Sequence, residues 1–340
     1  MPRLLVLVPC APDAPRGNAV TAARLARGLR NRGWEVEVAE VGPRRAPEAV
    51  DADVVLALHG ERGAPFAARL GRPYVVLLTG TDLVAERAGE AGREAARGAA
   101  AVVVLAEALA ERAREAYALA RPPVVIPQAL EPLPEGGAWP QGFPSPPEAR
   151  PLLLAPAGVR PVKGQRLLVA ALAPWAQEPD GPELWLVGPV LDEAYAEALD
   201  DDLAAVQREA GRSWARRFPA VGPAELRCLL EAATLAVSGS LWEGAAPNAL
   251  LEAVAAGTPV LASDVPAHHD FPGPDDVAAL PEPFATRART LATDPAARAA
   301  ALDRQRARLA ARPNPEAEAA AWDTLLRPLA ADEAPERGSP

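Results

Sequence analysis

The sequence predicts an α/β protein built from two doubly wound, parallel-sheet domains. Short runs rich in Val and Leu alternate with helical stretches, which is typical of parallel strands covered by helices on both faces. A stretch dense in Pro and Gly interrupts the alternation at residues 131–150, and the alternation then restarts. The length of 340 residues is enough for two domains that each bury a core.

The first half of the chain supplies the elements of domain 1, residues 1–130. Its first helix covers Asn18–Arg32, with apolar residues at helical spacing, and Gly33 ends it. Further helices are predicted at 83–98 and 106–120. The predicted strands are Leu4–Val8, Trp34–Val38, Val54–Leu58, Tyr74–Leu78, Ala101–Leu105 and Val124–Ile126.

The second half is organised in the same way. Residues 131–150 are predicted to be a linker, 151–312 a second domain, and 331–340 a flexible tail. Residues 313–330 are predicted to contain a C-terminal helix. In one arrangement, this helix crosses back to domain 1. The predicted strands are Leu152–Ala155, Glu183–Val187, Leu235–Val237 and Pro259–Ala262. The predicted helices are 163–175, 191–211, 223–232, 247–256, 284–311 and 315–329.

Composition excludes several classes of function. A net charge of −10 and a pI near 5.0 argue against nucleic acid as a partner. The first apolar run, Leu4–Val8, is too short for a signal peptide or a membrane span, and no other run approaches the necessary length. We therefore expect a cytoplasmic protein, a monomer or homodimer, whose partners are small molecules.

Lys163 is the only lysine among 35 Lys and Arg residues. It lies in the turn Gly158-Val159-Arg160-Pro161-Val162-Lys163-Gly164, directly after a predicted strand. The guanidinium of Arg160 offers a planar fork and the ammonium of Lys163 a compact point charge, so the two together suit one anionic group. The alternative is a surface lysine retained by chance.

A second candidate site follows the strand Leu235–Val237. Pro247 suits a first helical turn, so the helix should begin close to Ala246, Pro247 and Asn248, where free backbone N–H groups can bind a diphosphate. Glu243 in the preceding loop and Glu252 in the helix would repel phosphate. They are better suited as hydrogen-bond acceptors for sugar hydroxyls.

Domain 1 has a comparable turn after its first strand. Arg16, Gly17 and Asn18 open the first helix, and its N–H groups can hold an anion or a sugar hydroxyl. The dinucleotide fingerprint GxGxxG is absent there. The alternative is an ordinary Asn cap of the helix.

Two later strands of domain 1 also end in polar residues. His59 follows Val54–Leu58, and a His at the carboxyl end of a strand is a candidate acid or base, although a structural histidine is the alternative. Thr79-Gly80-Thr81-Asp82 follows the next strand. Thr81 and Asp82 are candidates for substrate binding, or they cap the helix that follows.

These motifs resemble the retaining glycosyltransferases of the family 4 group, also called glycosyl transferases group 1. The resemblance rests on Gly158–Gly164 and on Glu252-Ala253-Val254-Ala255-Ala256-Gly257-Thr258-Pro259-Val260. It implies the GT-B fold, in which two Rossmann-like domains face each other across a cleft. Four further stretches are similar to the glycosyltransferase 1 domain-containing protein 1 branch, namely 17–24, Leu56-Ala57-Leu58-His59, Gly80-Thr81-Asp82 and Leu186-Val187-Gly188-Pro189. Bacterial selenosugar synthases share a pattern similar to the first and third of these stretches.

The resemblance also implies an activity and a role for each site residue. The enzyme would transfer a sugar from a nucleoside-diphosphate sugar to an unknown acceptor, with retention of the anomeric configuration and without a metal or other cofactor. Domain 1 would bind the acceptor and the second domain the donor. Arg160 and Lys163 would neutralise the diphosphate, Glu252 would accept the ribose hydroxyls, and Glu243 would hold a sugar hydroxyl. Gly17 would let its loop approach the phosphate.

Two positions depart from the family pattern. Glu243 and Glu252 are separated by one residue more than in the family, and the extra residue is predicted in the turn Gly244–Ala246. Thr81 stands where many members carry a histidine, for which His59 could compensate. Two alternatives therefore remain, a sugar-nucleotide epimerase on the same fold and a non-catalytic protein that binds nucleotide sugars.

Overall fold

The computed structural model describes residues 1–12, 17–42, 51–83 and 88–331. The chain forms two compact units, each built around its own parallel sheet of six strands. Unit 1 contains residues 1–129 together with the C-terminal stretch from Pro313, and unit 2 contains Leu130–Arg312. The predicted α/β class with two parallel sheets is confirmed.

The sheet of unit 1 has the strand order β2-β1-β3-β4-β5-β6. Its strands are β1 (Arg3–Val8), β2 (Glu35–Glu40), β3 (Val54–Leu58), β4 (Tyr74–Leu77), β5 (Ala101–Val104) and β6 (Val124–Val125). The central strand β3 is buried along its whole length, because both of its faces are covered. The helices are α1 (Gly17–Arg30), α2 (Ala64–Ala67), α3 (Glu90–Gly98), α4 (Ala110–Ala116) and the C-terminal helix Pro315–Ala331.

The sheet of unit 2 has the order β12-β11-β10-β7-β8-β9. Its strands are β7 (Leu152–Pro156), β8 (Glu183–Val187), β9 (Ala215–Phe218), β10 (Leu235–Ser238), β11 (Val260–Ser263) and β12 (Val277–Ala278). Its helices are α5 (Gln165–Ala176), α6 (Glu193–Ala210), α7 (Pro223–Ala232), α8 (Asn248–Ala255), α9 (Pro266–Asp270), α10 (Glu282–Thr293) and α11 (Pro295–Ala310). Successive residues of β7 belong to two different apolar cores, Leu152 to one and Leu153 to the other, so the sheet is buried on both faces.

Two edge strands and one helix boundary differ from the sequence prediction. Strand β9 was not predicted because Arg216 and Arg217 interrupt its apolar pattern; they pair with Glu183 and Asp200 at the sheet edge. Strand β12 has only two residues. The helix predicted at 284–311 is two helices, because Asp294 caps a new one by accepting from the N–H groups of Ala296 and Ala297.

Two other predicted segments also differ. The helix predicted at 83–98 begins at Glu90, and residues 84–87 lie outside the described part of the chain. Of the predicted tail 331–340, only Ala331 is described, as the last residue of the C-terminal helix.

The predicted linker 131–150 contains no helix or strand, but it packs on unit 2. Phe143 stacks on Phe218 with 4.3 Å between ring centroids, and Trp139 meets the edge of Trp185 at 6.2 Å. The Sγ of Cys228 donates to the carbonyl of Gly137 at 3.0 Å. The segment therefore extends the core of unit 2 rather than lying free of it.

The C-terminal helix packs on α1 through a buried ion pair. The guanidinium of Arg24 donates to both carboxylate oxygens of Glu318, at 2.8 and 3.0 Å, with side-chain exposures of 4% and 2%. Trp34 adds a hydrogen bond from Nε1 to Asp323 at 2.7 Å. Gly28 allows close approach, because a Cβ there would lie 2.8 Å from the Cβ of Ala319.

We expect Glu318→Gln to lower the free energy of unfolding of unit 1 by about 3 kcal/mol, because the change leaves the Arg24 guanidinium buried without a full countercharge. Differential scanning calorimetry measures the effect as a lower melting transition. Glu316→Gln is the matched control, since Glu316 lies on the same helix and is exposed. Equal melting of the two variants would contradict the importance of the buried pair.

Candidate active site

The turn after β7 is shaped by a glycine that no other residue can replace without strain. Pro161–Lys163 form one turn of 3-10 helix, and Gly164 follows with φ +61° as the cap residue directly before α5. A Cβ on Gly164 would lie 2.0 Å from the carbonyl oxygen of Gly239. Both the left-handed backbone and the close approach therefore require glycine at this position.

The loop after β10 runs directly against this turn. The N–H of Leu241 donates to the carbonyl of Val162 at 2.8 Å. The contact brings Lys163 to Glu243, with 2.5 Å between Nζ and Oε1. Ser240 Oγ donates to the same Oε1 at 2.6 Å. Sequence analysis placed Lys163 beside Arg160 and did not predict this pairing with Glu243.

The side chains of Lys163 and Glu243 are largely buried, with exposed fractions of 15% and 12%. Burial alone would raise the pKa of Glu243, but the Lys163 ammonium and the Ser240 hydroxyl outweigh it and hold the pKa below its ordinary value. The carboxylate is therefore ionised and paired. Arg160 is half-buried in the same turn and has an extended backbone.

His268, Ser240 and Ser263 are not among the site residues predicted from the sequence. The Oγ of Ser263 donates to the carbonyl of Ser240 at 2.5 Å, and Nδ1 of His268 donates to the carbonyl of Ser263 at 2.7 Å. All three lie at or just beyond the carboxyl ends of β10 and β11. The test applied to His59, a histidine directly after a strand, does not select His268, which lies in α9 beside the exposed His269.

Glu252 lies in α8, and burial raises its pKa to about 7. Helix α8 begins at Asn248, with Pro247 as the preceding cap residue, one position later than predicted. The side chain of Ala246 is buried in an apolar core, so only the backbone of this residue could meet a ligand. Near neutral pH Glu252 is shared between its neutral and ionised forms, so it can donate or accept a hydrogen bond.

In unit 1, His59 follows β3 with an unusual left-handed backbone, φ +74°. Its Nδ1 accepts from the N–H of Glu61 at 3.2 Å, which leaves the ring proton on Nε2. Burial lowers the pKa of His59, and the nearby Asp82 only partly opposes this shift. The imidazole is therefore neutral at physiological pH.

Asp82 was predicted to bind substrate, and its placement corrects this prediction. The side chain is fully buried, and its carboxylate accepts from the N–H groups of Gly60 and Gly80 at 2.9 and 2.6 Å. Thr79 adds a third donor at 3.1 Å. Asp82 therefore holds two loops together, and its oxygens are not available to a ligand.

The structure describes only some of the other candidate site residues of unit 1. Gly17 is exposed and begins α1, one residue before the predicted start at Asn18, which is half-buried. Thr81 begins a 3-10 turn. Arg16 lies outside the described residues. The roles assigned to these residues stay predictions.

The part of the chain that the structure describes contains neither a candidate membrane-spanning helix nor a candidate metal-binding cluster. None of its helices is both long and apolar enough to cross a membrane. Within the same ranges, no three His, Cys, Asp or Glu side chains are grouped so as to hold a metal ion. The expectation that the enzyme needs no metal remains a prediction.

Comparison with known proteins agrees with this architecture. Residues 150–302 match the family described as "Glycosyl transferases group 1". No curated protein sequence matches the chain significantly.

Solved structures of GT-B glycosyltransferases superpose on nearly the whole chain. Sucrose-phosphate synthase from Thermosynechococcus elongatus has a TM-score of 0.76 at 17% identity, and the match covers 98% of this chain and 100% of that one. HepE from Anabaena, in complex with UDP and glucose, has a TM-score of 0.76 at 18% identity, covering 96% and 100%. Trehalose 6-phosphate synthase from Burkholderia multivorans has a TM-score of 0.72 at 14% identity, covering 98% and 100%.

Identities this low establish the fold alone, and the match to the group 1 family covers residues 150–302, which is less than half of the chain. The expected GT-B fold is confirmed. The chain therefore has the fold of the GT-B glycosyltransferases, and residues 150–302 of unit 2 match the glycosyl transferases group 1 family.

Proposed function

We propose that this protein is a retaining glycosyltransferase that takes its sugar from a nucleoside-diphosphate sugar bound by unit 2. One observation carries the proposal. The first of the two motifs that resemble the retaining family 4 enzymes contacts the loop that leads to the second, because Lys163 pairs with Glu243, nine residues before Glu252. The narrower resemblance to one branch of the family stays a prediction.

The diphosphate of the donor would bind at the turn before α5. Lys163 supplies a localised positive charge there, and Arg160 supplies a planar fork for phosphate oxygens. As the bond from sugar to phosphate breaks, negative charge grows on the leaving diphosphate. Two fixed cations in a partly desolvated turn would stabilise that charge, and this is the main electrostatic contribution that we assign to the protein.

Glu243 would act twice in this scheme. One oxygen holds Lys163 and Ser240, which fixes the ammonium before the donor arrives. The other would accept a hydroxyl of the donor sugar. Glu252, farther along in α8, would accept the ribose hydroxyls in its ionised form.

The identity of the nucleotide is suggested by one of the similar structures. HepE was solved with UDP and glucose and also with UDP-glucose. UDP-glucose is therefore the first donor to test for this chain, with GDP- and ADP-sugars beside it. We assign the acceptor, whose chemistry is unknown, to unit 1, where the neutral His59 and the start of α1 at Gly17 and Asn18 follow two strands.

The first test is donor binding followed by transfer. UDP-glucose, GDP-glucose and ADP-glucose are compared by thermal shift. A donor present at about 100 times its Kd should stabilise the fold by about 2.7 kcal/mol. The stabilising donor is then incubated with an acceptor panel, and NMR should show a product with the anomeric configuration of the donor.

Three outcomes would contradict parts of this proposal. Lack of stabilisation by any nucleotide sugar argues against donor binding, and an inverted product argues against retention. Isomerisation of the donor without an acceptor would favour the epimerase alternative.

We expect Lys163→Ala to lower kcat/KM by about a hundredfold or more, because it removes a fixed cation from the charge that develops on the leaving group. Initial rates with the identified donor measure the effect. Arg166→Ala is the matched control, since Arg166 is an exposed cation one turn away that pairs with Asp202. Unchanged turnover in Lys163→Ala would contradict the assignment. If this variant folds poorly, Lys163→Met combined with Glu243→Gln removes both charges together.

The raised pKa of Glu252 predicts a pH dependence of stability. An unfolded Glu ionises near its ordinary pKa, whereas Glu252 in the folded chain stays protonated up to about pH 7. Ionisation therefore favours the unfolded state as the pH rises, and ligand-free protein should lose on the order of 2 kcal/mol between about pH 4.5 and pH 7. Urea denaturation at a series of pH values measures this loss. Glu252→Gln should show a flatter profile, and an identical profile would contradict the pKa shift.

A further inference from the structure

His268 is a buried titratable side chain that the proposed mechanism does not use. It lies in α9, five residues after the end of β11, and is fully shielded from solvent. Its Nδ1 faces the carbonyl oxygen of Ser263 at 2.7 Å, so Nδ1 carries a proton, because a carbonyl can only accept. In the neutral ring Nε2 is then a bare acceptor, and it is buried without a hydrogen-bond partner among the described residues. A buried polar atom of this kind calls for an explanation.

A chain of hydrogen bonds joins this ring to Glu243. His268 donates to the carbonyl of Ser263, whose hydroxyl donates to the carbonyl of Ser240. The hydroxyl of Ser240 in turn donates to Oε1 of Glu243. The chain crosses the carboxyl ends of β10 and β11, so the position of the imidazole is linked to that of the carboxylate.

Three charged or titratable groups act on the imidazole. Burial lowers the pKa of His268; Glu243, in the loop after β10, favours the protonated ring, while Lys163 before α5 and His269 in α9 itself disfavour it. In the ligand-free chain the positive charge of Lys163 compensates the negative charge of Glu243. With His268 neutral, the three side chains together carry no net charge.

An anionic ligand would disturb this balance. A diphosphate that engages the ammonium of Lys163 shares or takes the cation on which Glu243 depends. Glu243 would then be a nearly buried carboxylate without a full countercharge, an arrangement that costs several kcal/mol in proteins. Another group must supply positive charge, or Glu243 must take up a proton and lose its role as an acceptor.

We propose that His268 takes up one proton at Nε2 when a donor diphosphate engages Lys163, and so keeps Glu243 ionised and in position. The inference rests on the proposed donor site. The proton comes from the solvent and forms one N–H bond, and no other bond changes. His268 is then a positioning residue that acts through Glu243.

The chain offers well-matched variants for a test. His268→Asn retains an N–H donor for the Ser263 carbonyl but cannot titrate. His269→Asn removes the neighbouring imidazole, which is exposed and hydrogen-bonded to Asp264. Glu243→Gln removes the charge to which His268 is proposed to respond.

The first measurement is an NMR pH titration of the three histidines, with and without UDP-glucose or whichever of GDP-glucose and ADP-glucose binds more tightly. The phosphates of these donors are diesters that do not titrate near neutral pH. The signal lost in His268→Asn identifies His268. Its pKa should rise on binding in the wild-type chain, and the rise should vanish in Glu243→Gln. An equal rise in Glu243→Gln would show that the ligand acts directly on the ring, which overturns the proposal.

The second measurement is calorimetric titration in buffers of different ionisation enthalpy, which counts the protons taken up per ligand bound. Wild type and His269→Asn should take up more protons than His268→Asn, by up to about one between the free and bound pKa values of His268. Between these two pKa values, raising the pH by one unit should increase the Kd of the wild type by up to about tenfold more than the Kd of His268→Asn. Proton exchange at Glu252 is common to all three proteins and cancels in the comparison.

The outcomes separate this inference from the proposed function. Binding with equal proton uptake in the wild type and His268→Asn would overturn the inference and leave the donor site intact. No binding of any nucleotide sugar would overturn both.

Discussion

The candidate site depends on the close contact between two backbones at Gly164 and Gly239. A side chain at position 164 would collide with the carbonyl of Gly239, so the turn after β7 and the loop after β10 touch only because this position is glycine. The hydrogen bond from Leu241 to Val162 fixes the contact. The short distance from Lys163 to Glu243 follows from it, since both side chains extend from backbone segments that are already held together.

Both units use buried carboxylates to join loops, but in two different ways. In unit 1, Asp82 accepts backbone N–H groups from two loops and has no remaining function that a ligand could use. In unit 2, Glu243 is held by side chains, those of Lys163 and Ser240, which can change partner. The first arrangement makes a rigid junction, and the second allows the charge balance to respond to a ligand. This contrast explains why the carboxylate after β4 proves structural, while the one after β10 remains a candidate for chemistry.

Much of the fold could be predicted from the sequence, because buried parallel strands are continuous apolar runs. Strands Val54–Leu58 and Glu183–Val187 have the predicted limits. Strand β9 was missed because Arg216 and Arg217 are tolerated only at an edge, and an edge position is a property of the folded sheet. In the site, the basic turn with Arg160 and Lys163 and the two glutamates were identified from local sequence. The pairing of Lys163 with Glu243 joins residues 80 positions apart and could not be derived from spacing.

The return of the C-terminal helix to unit 1 has a consequence for how the chain folds during synthesis. Unit 2 is continuous, from Leu130 to Arg312, whereas unit 1 is assembled from two separated segments. A ribosome therefore releases all of unit 2 before the partner of Arg24 has been made. Domains generally fold as units once they are complete. We therefore expect unit 2 to be able to fold before unit 1, in which the surface of α1 at Gly28 stays uncovered until residues 315–331 have been synthesised.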